Sequence, residues 1–76
     1  MQTVNVLLDT VEKVKVFVNT VGPLEGDIDL VSDRYVVDAK SIMGIFSLDL
    51  SKQLKLTIHN ASTAERLIPL LKDYIV

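Results

Sequence analysis

The chain has 76 residues, 49% of them hydrophobic and 24% charged, with no cysteine and a formal net charge of −2. That length allows one domain, residues 1–76, burying about 60–65% of its unfolded surface. Without cysteine there are no disulfides or thiolate metal sites, so aliphatic packing must hold the chain together. The eight basic residues are scattered, which excludes the concentrated basic face of a nucleic-acid binder. No apolar run approaches the ~18 residues of a membrane span.

Residues 3–8 alternate, with Val4, Val6 and Leu8 on one side and Thr3 and Asn5 on the other, which predicts a half-buried strand. The period then changes. Val11, Val14, Phe17, Val18 and Val21 recur at three and four residues and predict a helix buried along that stripe, with Lys13 and Lys15 on its wet side. Asp9 followed by Glu12 has the form of a capping box at its start. Gly22-Pro23 ends it. Asp27 to Val31 alternates as a second strand, Ser32-Asp33-Arg34 is turn chemistry, and Tyr35-Val36-Val37 returns as a third. A short helix is expected from Ser41, and Gln53 to His59 reads as the clearest strand, with Leu54, Leu56 and Ile58 inward. Ser62 to Glu65 predicts a capping box for a last helix with Leu67, Leu71 and Tyr74 among its inner positions. Pro69 inside that helix predicts a kink, or irregular backbone before it. Strands that alternate this cleanly imply a sheet covered on one face, hence a two-layer α+β open sandwich.

The stretch Lys40-Ser41-Ile42-Met43-Gly44 resembles the regulatory-serine motif of HPr, the small phosphocarrier of the bacterial sugar phosphotransferase system. The order of elements resembles that family too, best from Asp27 to Ile58. The resemblance implies an HPr-like β-α-β-β-α-β-α fold, a four-stranded antiparallel sheet with three helices on one face. It also implies a protein that meets other proteins and is not itself an enzyme. HPr carries its phosphate on a histidine after the first strand, in the signature Gly-x-His-Ala-Arg-Pro. There the first helix and the arginine receive the phosphoryl charge. The corresponding stretch here, Leu8-Asp9-Thr10-Val11-Glu12-Lys13-Val14, has no His, Arg or Pro. Two carboxylates at a helix start would repel a phosphate. A divergent member that has lost phosphohistidine transfer is therefore expected.

The remaining chemistry is sparse. His59 is the only histidine, ends its strand and falls on the outward side of the alternation, so it reads as a surface residue. Asp27 and Asp29 share a strand face and, with Lys55 on a neighbouring strand, read as a solvated sheet surface. No metal spacing, phosphate loop or cofactor motif is present, and none is expected to be used. Ser41 at a helix N-cap is a place where phosphate could be added without melting the fold. Ile42, Met43, Ile45, Phe46 and Leu48 cannot all face inward from so short a helix. Ile42, Met43 and Phe46 are therefore candidates for a partner-binding patch.

The expected role is a regulatory or protein-binding module with Ser41 as a phosphorylation site. An HPr kinase or a transcriptional regulator is the expected kind of partner, and a cytoplasmic location fits the cysteine-free, signal-free chain. The competing roles are a working phosphocarrier with another acceptor, such as Asp9 or His59, and a structural or self-associating domain.

Overall fold

In the computed structural model, which describes all residues from Met1 to Val76, the alternating and helical segments fall in the expected order. They are β1 (Gln2–Val6), α1 (Val11–Val21), β2 (Ile28–Ser32), β3 (Tyr35–Asp38), α2 (Ile42–Phe46), β4 (Leu54–Ile58) and α3 (Ala61–Leu70). The four strands form one antiparallel sheet in the order β1-β4-β2-β3. The last strand in sequence therefore lies between the first and the second. Ile58 of β4 is opposite both Gln2 of β1 and Ile28 of β2.

Register places Val4, Leu56, Leu30 and Val37 in one row across the sheet, and Val6, Leu54, Ser32 and Tyr35 in the next. With Ile28 and Ile58 these rows make the inner face, against which the helices press Val14, Phe17 and Val21 from α1, Ile45 from α2, and Ala64 and Leu67 from α3. Phe17 is the largest of the fully buried side chains. The opposite face, with Asn5, Lys55, Val31 and Val36 in one row, has no helix over it.

Several expectations at helix ends need correction. The N-cap of α1 is Thr10, whose Oγ1 accepts from the Lys13 amide at 3.1 Å. Asp9 and Glu12 form no capping box, because Glu12 is second in the helix and the third position is Lys13. The frame this sets turns Val11 outward, 58% exposed, although it shares the apolar spacing of Val14 and Phe17. The cap of α3 is Asn60, whose Oδ1 accepts from the Thr63 amide and the Ser62 hydroxyl, so Ser62 assists the cap without being it. Thr63 is buried and donates its hydroxyl to the Glu25 carbonyl at 2.8 Å, which ties α3 to the loop after α1. That loop contains Gly26 at φ +89°, where an added Cβ would meet Asn60 at 3.0 Å. A side chain there would strain the backbone and the α3 cap together.

Pro69 neither ends α3 early nor leaves it irregular before itself. The helix runs through it to Leu70, and the departure comes just after, where the Leu71 amide is shared between the Leu67 and Ile68 carbonyls. Pro69 lies on the exposed side of the last turn, where a missing donor costs least. Tyr74 belongs to the turn after α3 and is half-buried. Beyond it the chain lies along β1. The Leu7 amide donates to the Tyr74 carbonyl, the Val76 amide donates to the Asn5 carbonyl, and Ile75 bridges Val6.

Because Phe17 is fully buried at the meeting of helix and sheet, Phe17→Ala is expected to cost about 3–5 kcal/mol. A domain of this size has total stability of about 4–11 kcal/mol. Denaturant unfolding should therefore show the variant at the edge of folding or beyond it.

Candidate functional site

The segment joining β3 to α2 is built from local hydrogen bonds. Asp38 accepts the Lys40 amide on its carboxylate at 2.9 Å and the Ser41 amide on its carbonyl at 2.9 Å, which turns the chain out of the sheet. Ser41 then caps α2 as expected, with extended backbone and its Oγ accepting from the Gly44 amide at 3.2 Å. Lys40 extends its ammonium group to the Leu24 carbonyl and so holds this turn against the loop after α1.

Gly44 does not break the short helix, which runs through it to Phe46. A Cβ at Gly44 would lie 3.2 Å from Ser41 Oγ and 3.3 Å from the Val37 side chain. Glycine thus lets α2 approach β3 closely while leaving the cap bond intact. The helix closes as it opened, with the Ser47 hydroxyl donating back to the Gly44 carbonyl at 2.5 Å.

The three candidate patch residues separate. Met43 is 78% exposed and Phe46 is 40% exposed, whereas Ile42 is half-buried and packs against the core. Ile45 and Leu48 are core residues. The outward apolar surface of α2 is therefore Met43 and Phe46, with Ile42 beneath them. No pocket indents the surface, and none of these side chains lines a cavity.

At the start of α1, Asp9 accepts from the Lys13 ammonium at 2.9 Å. That hydrogen bond and the charge of Lys13 hold the Asp9 carboxyl below the ordinary aspartate value. The spacing of four residues, acid before base, is a sequence signal for such a pair, and it identifies this contact better than the capping pattern does.

His59 lies at the other end of the sheet. Register pairs the start of β4 with the end of β1 at Leu54 and Val6, so the residue after β4 is level with the start of β1, away from the first turn of α1. Its Nε2 is 2.9 Å from Asp29 Oδ2, a diagonal cross-strand pair with both side chains about one-third exposed or more. Asp29 and Lys55 share the solvated face, but Lys55 is opposite Val31 and Asn5 and takes no part in an ion pair. No helix of the structure is long and apolar enough to cross a membrane.

Comparison with known proteins bears on this site. A family model described as PTS-HPr, "PTS HPr component phosphorylation site", matches residues 12–75. Among solved structures, the chain is similar to the crystal structure of HPr-C-His from Thermoanaerobacter tengcongensis, with 26% identity and a TM-score of 0.77, covering 96% of this chain and 93% of that one. It is similar as well to the phosphocarrier protein HPr from Bacillus anthracis str. Ames, with 28% identity and a TM-score of 0.73, covering 99% of this chain and 94% of that one. No curated protein sequence matches.

Two variants test the geometry. Ser41→Ala should lower stability by about 1 kcal/mol, the usual cost of a lost N-cap, and Ser41→Asp should cost less because a carboxylate also caps and favours the helix dipole. Chemical melts of both decide it, and Asp worse than Ala would contradict the cap. For Asp9 the sign follows from a folded-state pKa held below the ordinary 3.8. The stabilisation is present above that value and is lost as pH falls through the folded-state value. Wild type should exceed Asp9→Asn in stability at neutral pH, and the two should converge by a pH of about 2.

Proposed function

Since the chain belongs to the HPr family of the phosphotransferase system, whose members are phosphocarriers and not enzymes, we propose that this member acts by binding proteins and does not pass phosphate through histidine. The observation that carries this reading is the first turn of α1. The position that would need an imidazole and a guanidinium holds Asp9 bonded to Lys13, and Thr10 already occupies an amide of the helix start. An incoming phosphoryl group would meet the Asp9 and Glu12 carboxylates where it needs free donors and positive charge. The one histidine, His59, is at the opposite end of the sheet and engaged with Asp29, which weighs against it as a substitute acceptor.

Ser41 is the regulatory phosphorylation site in this reading. Its hydroxyl is exposed at the N-cap of α2, so a phosphate added there would remain beside helix amides and extend into solvent. Met43 and Phe46 are the apolar contact surface beside it, seated on Ile42. A phosphate at Ser41 would place about −1.5 to −2 charges at the margin of that surface and so could change which protein it accepts. The partners are a serine kinase of the HPr type and, for the modified form, a transcriptional regulator, all in the cytoplasm.

Purified protein should take up no acid-labile phosphate from phosphoenolpyruvate through enzyme I. The same protein incubated with an HPr kinase and ATP should gain one acid-stable phosphate, lost in Ser41→Ala. Stoichiometric acid-labile phosphate on any residue would overturn the first half. Absence of phosphoserine would remove Ser41 from the reading and leave only the binding surface.

A further inference from the structure

The two edges of the sheet are treated differently. At the end of β1 the outward-pointing backbone is used by the chain's own C-terminal residues, the Leu7 amide donating to the Tyr74 carbonyl and the Val76 amide to the Asn5 carbonyl. Along β3 only the Asp38 carbonyl is taken, by the Ser41 amide of the following turn, and no segment pairs with Val36. The Ala39 amide donates to the Ile28 carbonyl. By alternation the hydrogen-bonded pairs between β2 and β3 are then Leu30 with Val37 and Ser32 with Tyr35, while Val31 and Val36 form a non-hydrogen-bonded pair. The Val36 N–H and C=O therefore point away from the sheet. β3 is short, four residues, and carries no lysine, proline or bulge, so Asp38 at its end is the one charge on this edge. Its exposed side chains are the apolar Tyr35, at 70%, and Val36, at 61%, followed by the acid Asp38 at its end.

Charge selects the occupant. Arg34, just before β3, makes no ion pair or side-chain hydrogen bond, and Asp38 at its end is exposed and accepts only the local Lys40 and Ser41 amides. The segment 34–38 is thus a base, three apolar residues and an acid, a pattern complementary to its own reverse. An antiparallel copy with the two-fold axis at Val36 sets Val36 against Val36, Tyr35 against Val37, and Arg34 against Asp38 in both directions. The backbone is compatible with this register, because the outward amide and carbonyl of Val36 can exchange two hydrogen bonds with those of a second Val36. Moving the axis to Asp38 would oppose two like carboxylates.

We propose that the free edge of β3 pairs with β3 of a second copy of this chain, joining two four-stranded sheets into one of eight strands. This interface does not use the α1 start or the Met43 and Phe46 side chains, and it shares with the α2 site only Asp38, whose bonds shape the turn to Ser41, so failure of the dimer would not bear on the proposed function.

The experiment is sedimentation equilibrium of the full chain up to about 1 mM, where even a weak dimer is populated. Wild type should dimerise. Arg34→Asp alone and Asp38→Arg alone each place like charges across the axis and should weaken the dimer on the order of tenfold or more. An equimolar mixture of the two variants should restore it, because each acid then meets a base. Val36→Lys, at an exposed position, should give a folded monomer by circular dichroism. A wild type that stays monomeric at the highest concentration would overturn the proposal. So would a dimer indifferent to all three edge variants, or one lost in Met43→Glu but kept in Val36→Lys, which would place the contact on α2.

Discussion

Everything else in this fold leans on β4. It is last of the strands in sequence but lies between β1 and β2, and its three inward residues, Leu54, Leu56 and Ile58, are all fully buried. Pairing Ile58 with both Gln2 and Ile28 closes the sheet across most of the chain, which is possible only if α1 has already carried the chain over one face. The side-chain period of a strand is two, so a one-residue slip of β4 would turn these three residues to solvent and Lys55 and Thr57 toward Phe17. The hydrophobic cost of that slip fixes the register, and the register in turn sets where every loop and helix end must lie.

Those loops are held by few, specific bonds. The segment after α1 is fastened twice, by the Thr63 hydroxyl to Glu25 and by the Lys40 ammonium to Leu24. Both tethers come from residues next to helix starts, so the frames of α2 and α3 are coupled to the same loop. This coupling positions Ser41. Its cap bond to Gly44 is local, but the approach of α2 to Val37 depends on the missing side chain at Gly44 and on the loop that Lys40 grips. A short helix has little stability of its own, and here its order comes from these contacts and from burying Ile45.

The chain matches the HPr family over residues 12–75, and ahead of that span Asp9 forms an exposed pair with Lys13 at the start of α1. Exposed pairs of this kind add little stability. On the outer face of the sheet Asp29 and His59 are paired across strands. Exposed large apolar side chains lie on α2 at Met43 and Phe46 and on β3 at Tyr35 and Val36, as well as on α1 at Val11 and Val16 and on α3 at Leu70.

By itself, the sequence determined the number and kind of elements, the two-layer α+β class, the inward residues of β4 and the Ser41 cap. Each of these is a short-range property, a period of two or 3.6 or a hydroxyl before a turn, carried by neighbouring residues. The absence of a histidine near the first helix was equally plain. Only tertiary structure chose between adjacent cap residues, Thr10 over Asp9 and Asn60 over Ser62, because the winner depends on the rotation at which a helix docks its buried face. That rotation also sent Val11 outward despite its spacing. The pairing of His59 with Asp29, the tail laid along β1 and the bare edge of β3 belong to the same class. They follow from sheet order and register between residues far apart in the chain, which no local period encodes.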